Sequence, residues 1–177
     1  PVAVTLAEKD ARLTGKVTGT ADMEAVKRQV ARMLGLDADA AGWLALGKKD
    51  PVIGKLQAEF PGFFTAAKPA PYDAATWGMI APRISMKQAA RIKTAIAREH
   101  GDRVLGHAIF PAPAELLKVT RVAGLSDEKL ARLHGVAEAA IAGKRDVNRL
   151  RAMPEAAALR ELEQLRGVGP WTAAHIL

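Results

Sequence analysis

The 177-residue sequence contains no cysteine. That excludes disulfide bonds and any iron–sulfur cluster held by thiolates. No apolar run approaches the ~20 residues that a helix needs to cross a bilayer. The N-terminus lacks the succession of basic region, apolar stretch and small-residue cleavage site that marks a secretory signal. The four histidines, His100, His107, His134 and His175, show no metal-ligand spacing, so no metal is expected. No internal repeat is present, and the only compositional bias is richness in alanine, which favours helix.

Apolar residues make up 49% of the sequence, which places the chain among globular proteins. Its length suits one domain, or one domain with a small lobe, and is enough to bury a core. Lysine and arginine number 26 against 19 aspartates and glutamates, a net charge of +7. Such an excess suits a polyanionic partner, DNA or RNA in the usual case. Charge that serves only solubility is the alternative.

Val2 to Leu6 is rich in β-branched residues, and Arg12 to Thr18 sets Leu13, Gly15 and Val17 opposite Arg12, Thr14, Lys16 and Thr18. The charged Glu8-Lys9-Asp10 between them reads as a turn, giving an antiparallel hairpin. Two strands alone do not make a stable sheet, so the hairpin either packs on helices or continues a sheet begun before Pro1.

From residue 21 the pattern is helical almost to the end. Met23, Val26, Val30, Met33 and Leu34 recur on one face, with Thr20 or Asp22 as cap and Gly35 as terminator. Short helices follow over about 38–46 and 51–60, the second closed by Pro61-Gly62. The proline- and alanine-rich stretch from Ala66 to Pro71 reads as an extended connector. A helix over Tyr72–Ile80 stops at Pro82, and another is expected from Ile84 to His100. Arg83, Lys87, Arg91 and Arg98 would share one face of it, either a phosphate-tracking stripe or a solvated basic face. A short helix is expected over Pro111–Val119. Ser126 caps the next, whose Leu130, Leu133, Ala137, Ala140 and Ile141 would face the core. Pro154 opens the helix that carries Leu159, Leu162 and Leu165.

That helix leads into Leu165-Arg166-Gly167-Val168-Gly169-Pro170-Trp171-Thr172-Ala173. Two glycines around one aliphatic residue allow a sharp turn and a close backbone approach. Pro170 suits the first turn of a new helix. The N–H groups of a helix start, with the positive end of its dipole behind them, attract phosphate. A glycine-rich C-cap followed by an ordinary helix start is the plain alternative.

The stretch resembles the hairpin of helix-hairpin-helix DNA-binding proteins. With Trp171, Thr172 and Ala173 after it, it is most similar to the base-excision DNA glycosylases, in their 3-methyladenine DNA glycosylase II branch. The resemblance extends to Asp50-Pro51-Val52-Ile53, Pro61-Gly62, Pro71-Tyr72-Asp73, Ile84-Ser85-Met86-Lys87-Gln88-Ala89-Ala90, Gly124-Leu125-Ser126 and Ala137-Glu138-Ala139-Ala140. It implies a mainly α fold, a helix-hairpin-helix glycosylase bundle with a small N-terminal antiparallel β remnant. Residues 1–20 would be the end of a β-lobe, and 21–177 the helical core ending in the motif. The missing cysteines separate the chain from relatives that carry a four-cysteine cluster.

By the same resemblance, Gly167, Val168, Gly169, Thr172, Arg83, Lys87 and Arg91 would bind DNA, and Trp171 and His175 would line the base pocket. For Trp171, a core role packing the hairpin on the bundle is the alternative. The family usually has glutamine where this chain has Pro82, in the turn that carries the residue wedged into DNA, so the resemblance implies that Arg83 would take that place. Lyase-type members have a lysine at the position of Trp171, and an indole cannot form a Schiff base. The implied enzyme is therefore a monofunctional hydrolase that releases alkylated purines without a cofactor. It would act as a monomer on double-stranded DNA with alkylated bases, in the cytoplasm or at the nucleoid of a bacterium, with no membrane partner. The family's catalytic aspartate follows the hairpin helix, so the catalytic residue is expected beyond Leu177. Asp127 and Asp146 do not stand at the matching place. The rival reading is a helix-hairpin-helix DNA-binding module without chemistry.

Overall fold

The computed structural model describes residues 2–10, 12–62, 70–143 and 146–177. In chain order the elements are β1 (Ala3–Lys9), β2 (Arg12–Thr18), α1 (Met23–Met33), α2 (Ala40–Lys49), α3 (Pro51–Glu59), α4 (Pro71–Ile80) and α5 (Met86–His100). Then come β3 (Arg103–Val104), β4 (His107–Ala108), α6 (Pro113–Leu116), α7 (Asp127–Ile141), α8 (Val147–Ala152), α9 (Glu155–Glu163) and α10 (Pro170–Ile176). Contacts gather them into two compact units, Pro1–Ala21 with Ala70–Leu177, and Asp22–Pro69.

The larger unit is built around α4. Apolar residues recur all round it, and the small Ala74, Ala75, Thr76 and Gly78 let neighbours approach closely. Pro71, Ala74, Ala75, Thr76, Gly78, Met79 and Ile80 are all buried. The one buried hydroxyl is satisfied locally, Thr76 Oγ1 donating to the carbonyl of Asp73 at 3.1 Å. α4 packs on α5, α7 and α10. Around it lie Ile92 and Ile96 of α5, Leu116, Val119 and Val122 from the segment before α7, and Leu130, Leu133, Val136 and Ala137 of α7. Leu150, Leu162, Val168, Ala173 and Ile176 close the same cluster. Fully burying a leucine such as Leu133 or Leu162 contributes about 1.5–3 kcal/mol, so the cluster is where this unit's stability resides.

Short polar side chains start α1, α2, α3, α5, α7 and α8. Asp22, Asp39, Asp50, Ser85, Ser126 and Asp146 each accept a backbone N–H in the first turn of the following helix. The cap of α1 is therefore Asp22. In the smaller unit α2 packs on α3, and Gln57 donates across to the Trp43 carbonyl at 2.7 Å.

Several boundaries differ from those expected. β1 continues through Glu8 and Lys9, which pair with Leu13 and Arg12, so they belong to the strand and not to the turn. Asp10, directly after β1, has φ of +52°. Neither strand buries a residue. The expected connector from Ala66 lies outside the described residues up to 69, and Pro71 already belongs to α4. α5 starts at Met86 because Ser85 accepts the N–H of Gln88, so the chain is not yet helical at Ile84. The helix expected from Pro111 is the four-residue α6. Ile141 stands 58% exposed at the last turn of α7, and Val136 and Ala139 take core places instead. β3–β4 and α8 carry no clear signal in the sequence pattern; the tight turn of β3–β4 uses Leu105 and Gly106, both at positive φ.

Candidate nucleic-acid interface

The glycine hairpin joins α9 to α10. Gly167 has φ of +91°, and a Cβ placed there would stand 2.8 Å from Cδ of Arg132 and 3.2 Å from the sulfur of Met79. Backbone conformation and space both demand glycine. Val168 then turns inward and is buried in the core, anchoring the loop. Its N–H bonds the Leu165 carbonyl at 2.9 Å. Of the hairpin residues expected to bind DNA, Val168 therefore has its amide committed within the turn. Gly169 is extended, Pro170 opens α10, and no side chain caps the helix. The first helical bond runs from Ala173 to the Gly169 carbonyl at 2.9 Å, so the N–H groups of Trp171 and Thr172 have no acceptor within the helix.

The second element is the turn between α4 and α5. Ile84 N–H bonds the Ala81 carbonyl at 3.4 Å, with Pro82 and Arg83 at the two central positions. Arg83 has φ of +62°. Proline cannot take positive φ, so type I′ is excluded and the turn is type II. Arg83 is exposed at its tip. Arg83, expected on one face of α5 with Lys87 and Arg91, stands outside that helix.

Arg83 is close to α7. Lys129 there donates to the carbonyls of both Ile80 and Pro82, each at 2.7 Å. Burial lowers the pKa of Lys129, and the nearby charges of Arg132 and Arg83 lower it further. Arg132 pairs with Glu128 at 2.6 Å, and Arg166 of the hairpin approaches the same carboxylate at 3.8 Å. The opening turns of α7 thus touch both the Pro82–Arg83 turn and the glycine hairpin. Arg132 and Arg166 share Glu128, and Lys129, beside Arg132 and Arg83, extends this cationic patch towards the turn. Lys129 and Arg132 carried no signal in the sequence, because only tertiary packing brings them to these loops.

Lys87, Arg91 and Arg98 do share a face of α5. With Gln88 and Thr94 they line an open hollow closed on one side by Ala123 and Gly124. Ala89, Ile92 and Ile96 occupy the buried face. On α10, Trp171 is 72% exposed and stacks on His175, their ring centroids 5.2 Å apart and nearly parallel at 8°. The pair is a free aromatic surface, so Trp171 is not a core residue. Thr172 faces inward and meets Gly78 of α4.

The remaining polar candidates have local roles. Asp146 caps α8, accepting the N–H of Arg149 at 2.8 Å. Arg149 in turn forms a two-pronged pair with Glu161. The ring Nε2 of His134 lies 3.0 Å from the Val119 carbonyl. Among the described residues, no three histidine or carboxylate side chains gather as a metal site, and no helix is long and apolar enough to cross a membrane.

No family model matches the sequence. A DNA-3-methyladenine glycosylase of Bacillus subtilis (strain 168) is 24% identical over 163 residues, 87% of this chain and 54% of that protein. The chain thus spans about half the length of this curated relative. The structure of a 3-methyladenine DNA glycosylase from Archaeoglobus fulgidus superposes with a TM-score of 0.75 at 25% identity, covering 99% of this chain and 62% of that one. A 3-methyladenine DNA glycosylase from Schizosaccharomyces pombe, in complex with abasic DNA, gives a TM-score of 0.61 at 22% identity over 78% of this chain and 68% of that one. With the glycine hairpin set between α9 and α10 and packed on a helical core, this chain has the fold of the helix-hairpin-helix DNA glycosylases, and its neighbours point to their 3-methyladenine branch.

Proposed function

We propose that the chain forms the DNA-binding helical body of a monofunctional glycosylase that hydrolyses the N-glycosidic bond of alkylated purines in duplex DNA. The reading is carried by one observation: the likeness to the Archaeoglobus fulgidus 3-methyladenine DNA glycosylase runs over 99% of the chain. The geometry supports it. A base inside a duplex is out of reach, so the nucleotide must be flipped out and its place filled. The exposed Arg83, on a tight turn beside Lys129, is suited to enter that gap and stack. Gly169 and the first amides of α10 would hold a phosphate on one side of the lesion. Lys87 and Arg91 would add backbone contacts along α5.

The stacked Trp171 and His175 offer an electron-rich face. A purine alkylated on a ring nitrogen is cationic and is drawn to such a face by about 0.5–2 kcal/mol per contact. Its bond to C1′ is already weakened. Water adds to C1′ as the base departs with the bonding electron pair, and a nearby carboxylate stabilises the oxocarbenium-like sugar. That carboxylate is not assigned to any of these 177 residues. Trp171 offers no amine, which favours hydrolysis over lyase chemistry. The proposed partner is chromosomal DNA with alkylated bases, bound by a monomer.

The test is to incubate the protein with N-methylated duplex DNA, to separate released 3-methyladenine and 7-methylguanine by chromatography, and to titrate binding to the same duplex. Binding to the methylated duplex is the expected result for these 177 residues, and base release for a protein that also supplies the carboxylate. Binding without release in that protein assigns a DNA-binding module without chemistry, and the absence of binding overturns the reading.

A further inference from the structure

The turn between α4 and α5 is held in its form from outside. A turn with proline at its second position can be type I or type II, and the two differ by a flip of the central peptide, here Pro82–Arg83. Type I would give Arg83 an ordinary negative φ. Type II forces positive φ, a conformation suited to glycine or asparagine and unfavourable for arginine. The chain nevertheless adopts it, with φ of +62° at Arg83. The flip decides where the Pro82 carbonyl points, and that carbonyl accepts a hydrogen bond from Lys129 Nζ at 2.7 Å. The same ammonium takes the carbonyl of Ile80, the last residue of α4, also at 2.7 Å.

We propose that Lys129 is a positioning residue: its ammonium selects the type II form of the Ala81–Ile84 turn and thereby aims Arg83 at the DNA gap. The proposal rests on the lesion-binding reading above. Lys129 stands in the first turn of α7, where the helix dipole disfavours a cation, but its ammonium reaches the C-terminal end of α4, where the dipole favours one. Burial and the neighbouring Arg132 and Arg83 all press against its charge. One short bond to the end of α4 and one to the central peptide of the turn let a single ammonium fix how the turn leaves the helix. The same stretch of α7 also braces the hairpin, through Arg132 against Gly167 and Glu128 near Arg166. The two loops proposed to touch DNA are therefore set from one helix.

The experiment compares the unaltered protein with Lys129→Met, which keeps the stem and removes the donors, and with Lys129→Arg, which keeps a cationic donor. Amide exchange is followed at Ile84, whose N–H closes the turn, together with binding to an intact duplex and to one with an abasic-site analogue. In Lys129→Met, exchange at Ile84 should rise by about tenfold while the interior amides of α4 and α5 keep their protection. Preference for the abasic over the intact duplex should fall by about tenfold, with affinity for the intact duplex changed less than about threefold. Lys129→Arg should recover part of both. Unchanged exchange in Lys129→Met overturns the proposal, and so does faster exchange with unchanged preference, which would make Lys129 only structural. If Lys129→Met does not fold, Lys129→Gln, shorter and neutral, decides by the same two readings. Should the unaltered protein itself bind no DNA, the functional reading fails, whereas DNA binding with preference intact in the variant sinks only the role of Lys129.

Discussion

Gly78 of α4 and Thr172 of α10 meet so closely that a Cβ on Gly78 would stand 2.7 Å from Cγ2 of Thr172. α10 can therefore lie directly on the buried central helix, which fixes the first turn of α10 against the core. Alanine at position 78 would gain about 1 kcal/mol of helix propensity. It would also push on a β-branched side chain that has little freedom to turn aside, and overpacking of this kind costs about 1–3 kcal/mol. Gly78→Ala should lower the unfolding free energy by about 1 kcal/mol in urea titration. In a Thr172→Ser background, where Cγ2 is gone, the same change should be neutral or stabilising. Equal effects in both backgrounds would show that the two residues are not coupled.

The basic face of α5 should be visible in salt dependence. Lys87 to Arg91 spans about 6 Å along the helix and Arg91 to Arg98 about 10 Å, distances that let each side chain meet a different phosphate. A protein loses about 0.9 of log–log salt slope for each phosphate contact removed from duplex DNA. Lys87→Gln and Arg91→Gln should each reduce the slope by about that amount and weaken all sequences alike. A slope unchanged in both variants would leave α5 as a solvated basic face.

Much of this was legible in the sequence where the signal is local. The caps Asp22 and Ser126, the stop at Gly35 and the glycine hairpin before Pro170 all follow from backbone chemistry of adjacent residues. The order of helices followed from apolar spacing and from resemblance. What was not legible depends on contacts between distant segments. Arg83 has helical spacing to Lys87, but Ser85 caps the helix after it, and Lys129, 46 positions along, holds the turn. Ile141 continues the apolar stripe of α7 and yet lies outside the core cluster. Val168 has the amide of a phosphate loop, but the tight turn uses it internally.

Tyr72 ties the start of α4 to the segment before α6. Its hydroxyl donates to the Pro111 carbonyl at 3.0 Å, and its ring leans on Phe110 with centroids 6.2 Å apart. Burial, and then the charge of Asp73, push its pKa well above the ordinary value of 10. The folded state therefore resists deprotonation that the unfolded chain accepts. The stabilisation is complete below the unfolded value and is lost as pH rises through about 10 towards the folded value. Chemical denaturation at pH 8 to 11 should show stability falling above pH about 10, and Tyr72→Phe should flatten that fall. At neutral pH the variant should be less stable by about 1 kcal/mol, because the Pro111 carbonyl loses its donor. An equally steep alkaline loss in Tyr72→Phe would assign it to other groups.

Arg83 should separate stability from function. A non-glycine residue in the left-handed region costs about 1–2 kcal/mol, and a glycine there is unstrained but gives back about 0.4–1 kcal/mol through the freer unfolded chain. Arg83→Gly also removes a cation that presses on Lys129. The variant should therefore be as stable as the unaltered protein or more stable, by up to about 1 kcal/mol. It should at the same time lose preference for a duplex with an abasic site, because nothing remains to fill the gap. Arg83→Ala keeps the strain and removes the guanidinium, so it should lose the same preference without the gain in stability. Thermal unfolding and duplex titration of the pair test this directly. A marked loss of stability in Arg83→Gly would mean that the side chain supports the turn itself, and the turn would then be a structural joint instead of a mount for a wedge.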